Sequence, residues 1–180
     1  MTESEKRVTR IIINAPIETV WAELIKTNRP QPFFFGSECR TVTELKPGAP
    51  MRMTSPNGKY VSVAGDVTVF EPPYRYGHSF KFTNMDDPPC HVTYELREVP
   101  EGTEFSLITE GTIPDSKTEK SMDQGATFIT ENLKSFVETG KPTFGGKMIL
   151  GMIKLMTPFS PKQCRVENWP MDMKIEMESE

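Results

Sequence analysis

The sequence predicts an α+β fold in which one long helix lies across the concave face of an antiparallel sheet. Three observations carry this expectation. Residues 115–142 read as a single amphipathic helix. Nearly everything between residues 8 and 110 reads as strand, apart from one early helical stretch. Short turn signals separate the strands, which gives a meander, and meanders are antiparallel. A helix with one apolar face buries it most economically on such a sheet, and the hollow between the two is where function is expected.

Taken in order, residues 7–14 alternate Val8, Arg10, Ile12 and Asn14 with Thr9, Ile11 and Ile13, as a strand does. Ala15-Pro16 opens a helix whose apolar face is Ile17, Val20, Trp21, Leu24 and Ile25. It should end near Thr27-Asn28. Pro32 to Gly36 is an aromatic turn or short second helix, either packed in the core or forming a wall of the cavity mouth. Residues 38–45 and 51–54 are strands, separated by the turn Lys46-Pro47-Gly48.

Ser55-Pro56-Asn57-Gly58 is a hairpin signal before the longest strand, residues 60–70. There Val61, Val63, Val67 and Val69 share one face, and Ser62, Ala64, Asp66 and Thr68 the other, where Asp66 should be solvated. Gly65 marks a bulge or a close backbone approach. In residues 74–82, Tyr76, His78, Phe80 and Phe82 point one way. Residues 91–99 place Val92, Tyr94 and Leu96 inward and His91 outward, and Phe105 and Leu107 alternate with Glu104 and Ser106. The long helix follows. Ser116 and Glu119 form a capping box. Met122, Ala126, Ile129, Leu133 and Phe136/Val137 line its apolar face, and Gly140 and Pro142 end it.

Composition narrows the function classes. The 180 residues contain 36% hydrophobic side chains, and no run approaches the roughly 18 apolar residues of a membrane span. The polar start, residues 1–7, lacks an apolar signal core, so a cytoplasmic location is expected. Three widely spaced cysteines, Cys39, Cys90 and Cys164, fit reduced thiols better than a disulfide framework. A net charge of -4 with no basic stripe gives no nucleic-acid signal. No metal-ligand spacing, glycine-rich phosphate loop or nucleophile elbow occurs, so no cofactor is expected.

The pattern resembles the helix-grip (START-like, SRPBCC) superfamily, and within it the branch named for the activator of the heat-shock protein 90 ATPase. The residues that carry the resemblance are Ala15-Pro16-Ile17-Glu18 with Val20-Trp21, Phe35-Gly36, Lys46-Pro47-Gly48, Gly65-Asp66-Val67 running to Glu71-Pro72-Pro73, Val92-Thr93-Tyr94-Glu95-Leu96, Asn132-Leu133-Lys134 and Glu138 to Pro142. The resemblance implies a seven-stranded antiparallel sheet gripping the last helix, two smaller helices, and a hydrophobic cavity between sheet and helix. Members of the superfamily bind lipids, sterols and polyketides, and a few catalyse cyclisation. Ala126 stands where the branch usually has an aromatic residue, which should enlarge the cavity. The Phe33–Phe35 turn lacks the branch's usual tryptophan or tyrosine, which points to an apolar ligand.

These readings divide the chain into a helix-grip binding domain, residues 1–142, and an extension, residues 143–180. The expected function is binding of a small hydrophobic molecule (lipid, polyketide or aromatic-like) without catalysis. The pocket residues inferred are Val67, Val69, Tyr76, His78, Phe80, Tyr94, Phe105, Leu107, Ala126, Ile129 and Leu133. The alternative is a cyclase, dehydratase or hydrolase with His78 and Tyr76 as acid and base, since imidazole titrates near neutrality; against it stands a core histidine satisfied by a backbone partner.

A third reading is a protein-interaction module that uses the extension; a chaperone role is what the resemblance to the namesake would add, and it carries over poorly. Residues 148–156 form a short helix that is apolar almost all round. It is open to packing on its own domain, closing the cavity as a lid, joining a homodimer or dipping into a membrane surface, the last disfavoured by a small polar face poor in basic residues. Met171, Met173, Ile175 and Met177 alternate with Asp172, Lys174, Glu176 and Glu178, so the tail is expected to add to a strand edge or fray.

Overall fold

Two residues bracket the long helix. The Ser116 side chain accepts from the amide of Glu119 at 3.0 Å, and Gly140 closes the other end at φ 74°, its amide donating to the Phe136 carbonyl at 2.8 Å. A residue with a Cβ would be strained at that φ. The computed structural model describes residues 6–177. The first five residues of the polar start and Glu178 lie outside the described residues.

The elements are β1 (Arg7–Ile13), α1 (Ile17–Leu24), β2 (Glu38–Arg40), β3 (Pro50–Thr54), β4 (Val61–Glu71), β5 (Arg75–Phe82), β6 (Cys90–Val99), β7 (Gly102–Glu110), α2 (Lys117–Thr139) and α3 (Phe144–Met156). A 3₁₀ turn spans Pro32–Phe34. The strands form one seven-stranded sheet in the order β1-β7-β6-β5-β4-β3-β2, with every neighbouring pair antiparallel. This is the helix-grip arrangement. Alternation sets which face each residue joins, because residues paired across antiparallel strands share a face. Tyr76 pairs with Tyr94, Tyr94 with Leu107, and Thr9 with Leu107, so one continuous face crosses the sheet. That face, α1 and α2 bury a common core including Ile13, Val20, Trp21, Phe105 and Leu133.

The strand expected over residues 38–45 stops at Arg40. Beyond it, the Thr43 hydroxyl donates to the Glu44 carbonyl and the Thr43 amide meets the Thr41 hydroxyl. Such local bonds compete with a sheet ladder. Leu45 is nonetheless buried.

Among the described residues, the tail does not extend a strand edge. It crosses the outer face of β3 and β4, where Ile175 packs with Val61 and Ala64. Arg52 explains this. It is 1% exposed. All five of its N–H groups donate to carbonyls: Met51 and Gly65 within the sheet, and Trp169, Pro170 and Met173 in the tail. Tail carbonyls held by a guanidinium are not free for a ladder. The same packing buries Asp66, expected to be solvated, under the tail.

A second anchor fixes the start of α3. Buried Asn132, on α2, accepts from the Thr143 amide at 3.0 Å and hydroxyl at 3.1 Å, while its own amide donates to the Phe128 carbonyl at 2.8 Å. Thr143 in turn caps α3 by accepting from Gly146. A Cβ on Gly146 would sit 2.0 Å from the Asn132 Oδ1, so glycine is what lets the helix approach.

Candidate functional site

Between the concave face, α2 and α3 lies a cavity of about 600 Å³. The apolar alternation of the strands supplies its floor and walls: Met51 and Met53 from β3, Val63 from β4, Tyr76, His78 and Phe80 from β5, and Tyr94 from β6. Ala126 and Ile129 of α2 face it from above, and Phe34 and Phe35 form one wall. Phe35 also stacks on Phe128 of α2, with ring centres 4.2 Å apart. Serines, Gln124 and the hairpin tip at Pro56 make a polar rim. Among the described residues, no lysine, arginine, aspartate or glutamate lines it.

Of the residues expected to form a pocket, Tyr76, His78, Phe80, Tyr94, Leu107, Ala126 and Ile129 line the cavity. Four do not. Val67, Phe105 and Leu133 are on the inward side but sit in the core. Val69 is on the wrong face. Val67 pairs with His78, yet Val69 pairs with Gly77 and Phe70 with Tyr76. Thr68 is therefore an extra residue, and the bulge reverses the alternation after it. Phe70, not Val69, turns inward, against Trp21 and Tyr76. Gly65 is not the bulge. It is a close approach, since a Cβ there would lie 1.9 Å from the Ser79 carbonyl oxygen.

The side chains that sequence reasoning missed fall into two kinds. Cys39, Met51 and Met53 were legible from alternation, because Cys39 pairs with Met53 and Met51 with Gly65 on the inward face. Ile149 and Ile153 of α3 also line the cavity. Nothing in an all-round apolar helix signals which of its sides turns inward.

The polar chemistry of the interior is concentrated on three strands. The His78 Nδ1 lies 2.8 Å from the Ser79 carbonyl oxygen. A nitrogen that faces a carbonyl carries the proton, which fixes the tautomer and leaves Nε2 as an acceptor. Burial pushes the His78 pKa down to about 4, so the ring is neutral at physiological pH. Tyr76 and Tyr94 flank it, with ring centres 5.4 and 5.8 Å away. Burial raises both phenols well above their ordinary range. The Tyr76 hydroxyl has no well-aligned partner. The Cys39 thiol lies against it, itself pushed up to about 12 by burial. These groups are neutral donors and acceptors. His91 takes the outer face, as its alternation requires, and meets Thr68 at 2.6 Å.

The inner side of α3 presents Ile149 and Ile153 to the cavity, whereas Phe144, Met152, Leu155 and Phe159 are 64–80% exposed on or beside its outer side. No helix among the described residues is long and apolar enough to cross a membrane.

A family model described as activator of Hsp90 ATPase homolog 1-like protein matches residues 14–138. Among solved structures, the chain is similar to a protein of Mesorhizobium loti at 19% identity and a TM-score of 0.61, over 74% of this chain and 97% of that one. It is similar to CalU16 of Micromonospora echinospora at 20% identity and a TM-score of 0.59, over 83% of both chains. It is also similar to DynU16, a protein of the dynemicin biosynthetic locus, at 20% identity and a TM-score of 0.60, over 76% of this chain but only 48% of that one. At such identities these likenesses bear on the fold alone. No curated protein matches.

Proposed function

The chain belongs to the activator of Hsp90 ATPase homolog 1-like family, and from that premise we propose that it binds a small hydrophobic molecule in the cavity between sheet and long helix, without transforming it. The observation that carries this reading is an interior of about 600 Å³ lined by apolar side chains and by no formal charge among the described residues. Small-molecule sites are commonly about 300–1,000 Å³, mostly apolar, with a few placed polar groups.

In this reading, residues 1–142 are the binding unit and residues 143–180 an extension that completes it. Ile149 and Ile153 close the cavity as a lid, and Asn132 and Thr143 hold the lid's first turn. Methionines on the outer side let the helix shift against uneven surroundings while the ligand enters.

The test is native mass spectrometry of protein purified without detergent, beside a denaturing spectrum of the same sample. The expected result is an apolar adduct that is lost on denaturation and reduced in Ala126→Phe, which projects a phenyl ring into the cavity. An adduct retained equally by Ala126→Phe would show that it sits elsewhere and would overturn the reading.

A further inference from the structure

The hydrogen-bonding groups inside the cavity restrict what it accepts. His78 is 2% exposed, and its Nδ1 is committed to the Ser79 carbonyl. The Nδ1 edge faces β4 at Gly65, where a Cβ would lie 3.3 Å away. The Nε2 edge is opposite, and among the described residues none bonds it. Tyr94, 4% exposed, has its ring centre 5.8 Å from that imidazole, and its hydroxyl likewise has no hydrogen-bond partner among the described residues. Both side chains line the cavity. The interior therefore offers, on two rings whose centres are 5.8 Å apart, an acceptor and a hydroxyl, beside the buried Tyr76 hydroxyl, with no partner and no cation for them among the described residues.

We propose that the cavity takes a neutral, otherwise apolar molecule bearing a hydroxyl group, alcoholic or phenolic, whose O–H donates to His78 Nε2 and whose oxygen accepts from Tyr94. The inference rests on the cavity being a binding site, and names the ligand class for it. A hydroxyl is the simple group that does both jobs. A ketone or ester carbonyl only accepts, so it leaves Nε2 unpaired. A plain hydrocarbon that displaces water from both groups leaves them unpaired, which is costly. A carboxylate or phosphate would be stripped of water with no lysine or arginine among the described residues lining the site to neutralise it. His78 is thereby a specificity-determining residue rather than a proton shuttle.

Three fluorescent probes with one ring and tether separate these cases: 1-pyrenebutanol, 1-butylpyrene and 1-pyrenebutyric acid, titrated at neutral pH. The alcohol is expected to bind about tenfold tighter than the hydrocarbon, and the acid weakest. His78→Leu and, separately, Tyr94→Phe should weaken the alcohol and leave the hydrocarbon unchanged, with circular dichroism confirming the fold. Alcohol and hydrocarbon binding alike, or acid binding best, would overturn this inference while the binding reading stands. Failure of all three to bind would overturn that reading, and this inference with it.

Discussion

The backbone amide of Ile175 donates to the Asp66 carboxylate at 2.6 Å, so a strand near the middle of the chain holds the tail across the sheet's outer face. Lys174 adds a longer contact to the same carboxylate at 4.0 Å. Asp66→Ala removes the acceptor and leaves a buried amide unpaired. The expected loss is about 2 kcal/mol in urea unfolding. Limited proteolysis should then cut first between residues 169 and 177. In a chain truncated before Trp169, the same substitution should add less than about 0.5 kcal/mol, because the partner is already gone.

His78 makes stability depend on pH in a defined window. Its folded pKa, about 4, lies below the ordinary histidine value of 6.5. Between those values the unfolded chain binds the proton and the folded chain does not. Stability is therefore complete above pH 6.5 and falls as the pH is lowered toward 4, by about 3 kcal/mol in total. Burial lowers His91 as well, so the measurement is a difference. Urea unfolding of wild type and His78→Leu from pH 4 to pH 7 should show a shallower slope in the variant.

Asn132 joins two helices through one side chain. Asn132→Ala should cost about 2 kcal/mol. It should also raise hydrogen exchange of the first turn of α3, and of that turn more than of β5 or β6.

Gly65→Ala tests the close approach between β4 and β5. A Cβ at 1.9 Å from the Ser79 oxygen forces backbone to move. The expected destabilisation is about 2 kcal/mol or more, and because the Ser79 carbonyl also orients His78, the imidazole NMR shifts should move with it.

Ala126→Phe addresses the cavity directly. The residue is small and lines empty volume, so the larger side chain should fit with a change in Tm of only a few degrees. Binding of any cavity ligand should fall by about tenfold or more.

The sequence made the inward face of the sheet largely legible because its period of two is a local property. Tyr76, His78, Phe80, Tyr94 and Leu107 line the cavity as alternation predicts. Alternation specifies a side, not a depth, which is why Phe105 turns inward yet lies in the core, and helical spacing has the same limit at Leu133. Alternation also fails at an insertion: the bulge at Thr68 turns Val69 outward and Phe70 inward. Asp66 faces outward as expected. Its burial depends on a segment 109 residues away, which no local pattern encodes. The inward side of α3 was hidden for the opposite reason: a helix apolar all round carries no directional signal.

An interior without formal charge among the described residues has a consequence for the surroundings in which it works. Mobile ions screen charges, and here they find none to screen. Varying sodium chloride from about 0.01 to 0.15 M, across which the Debye length shortens from about 30 to 8 Å, should leave the affinity for an uncharged ligand unmoved. Occupancy would then follow the supply of ligand and stay indifferent to the ionic composition of the medium.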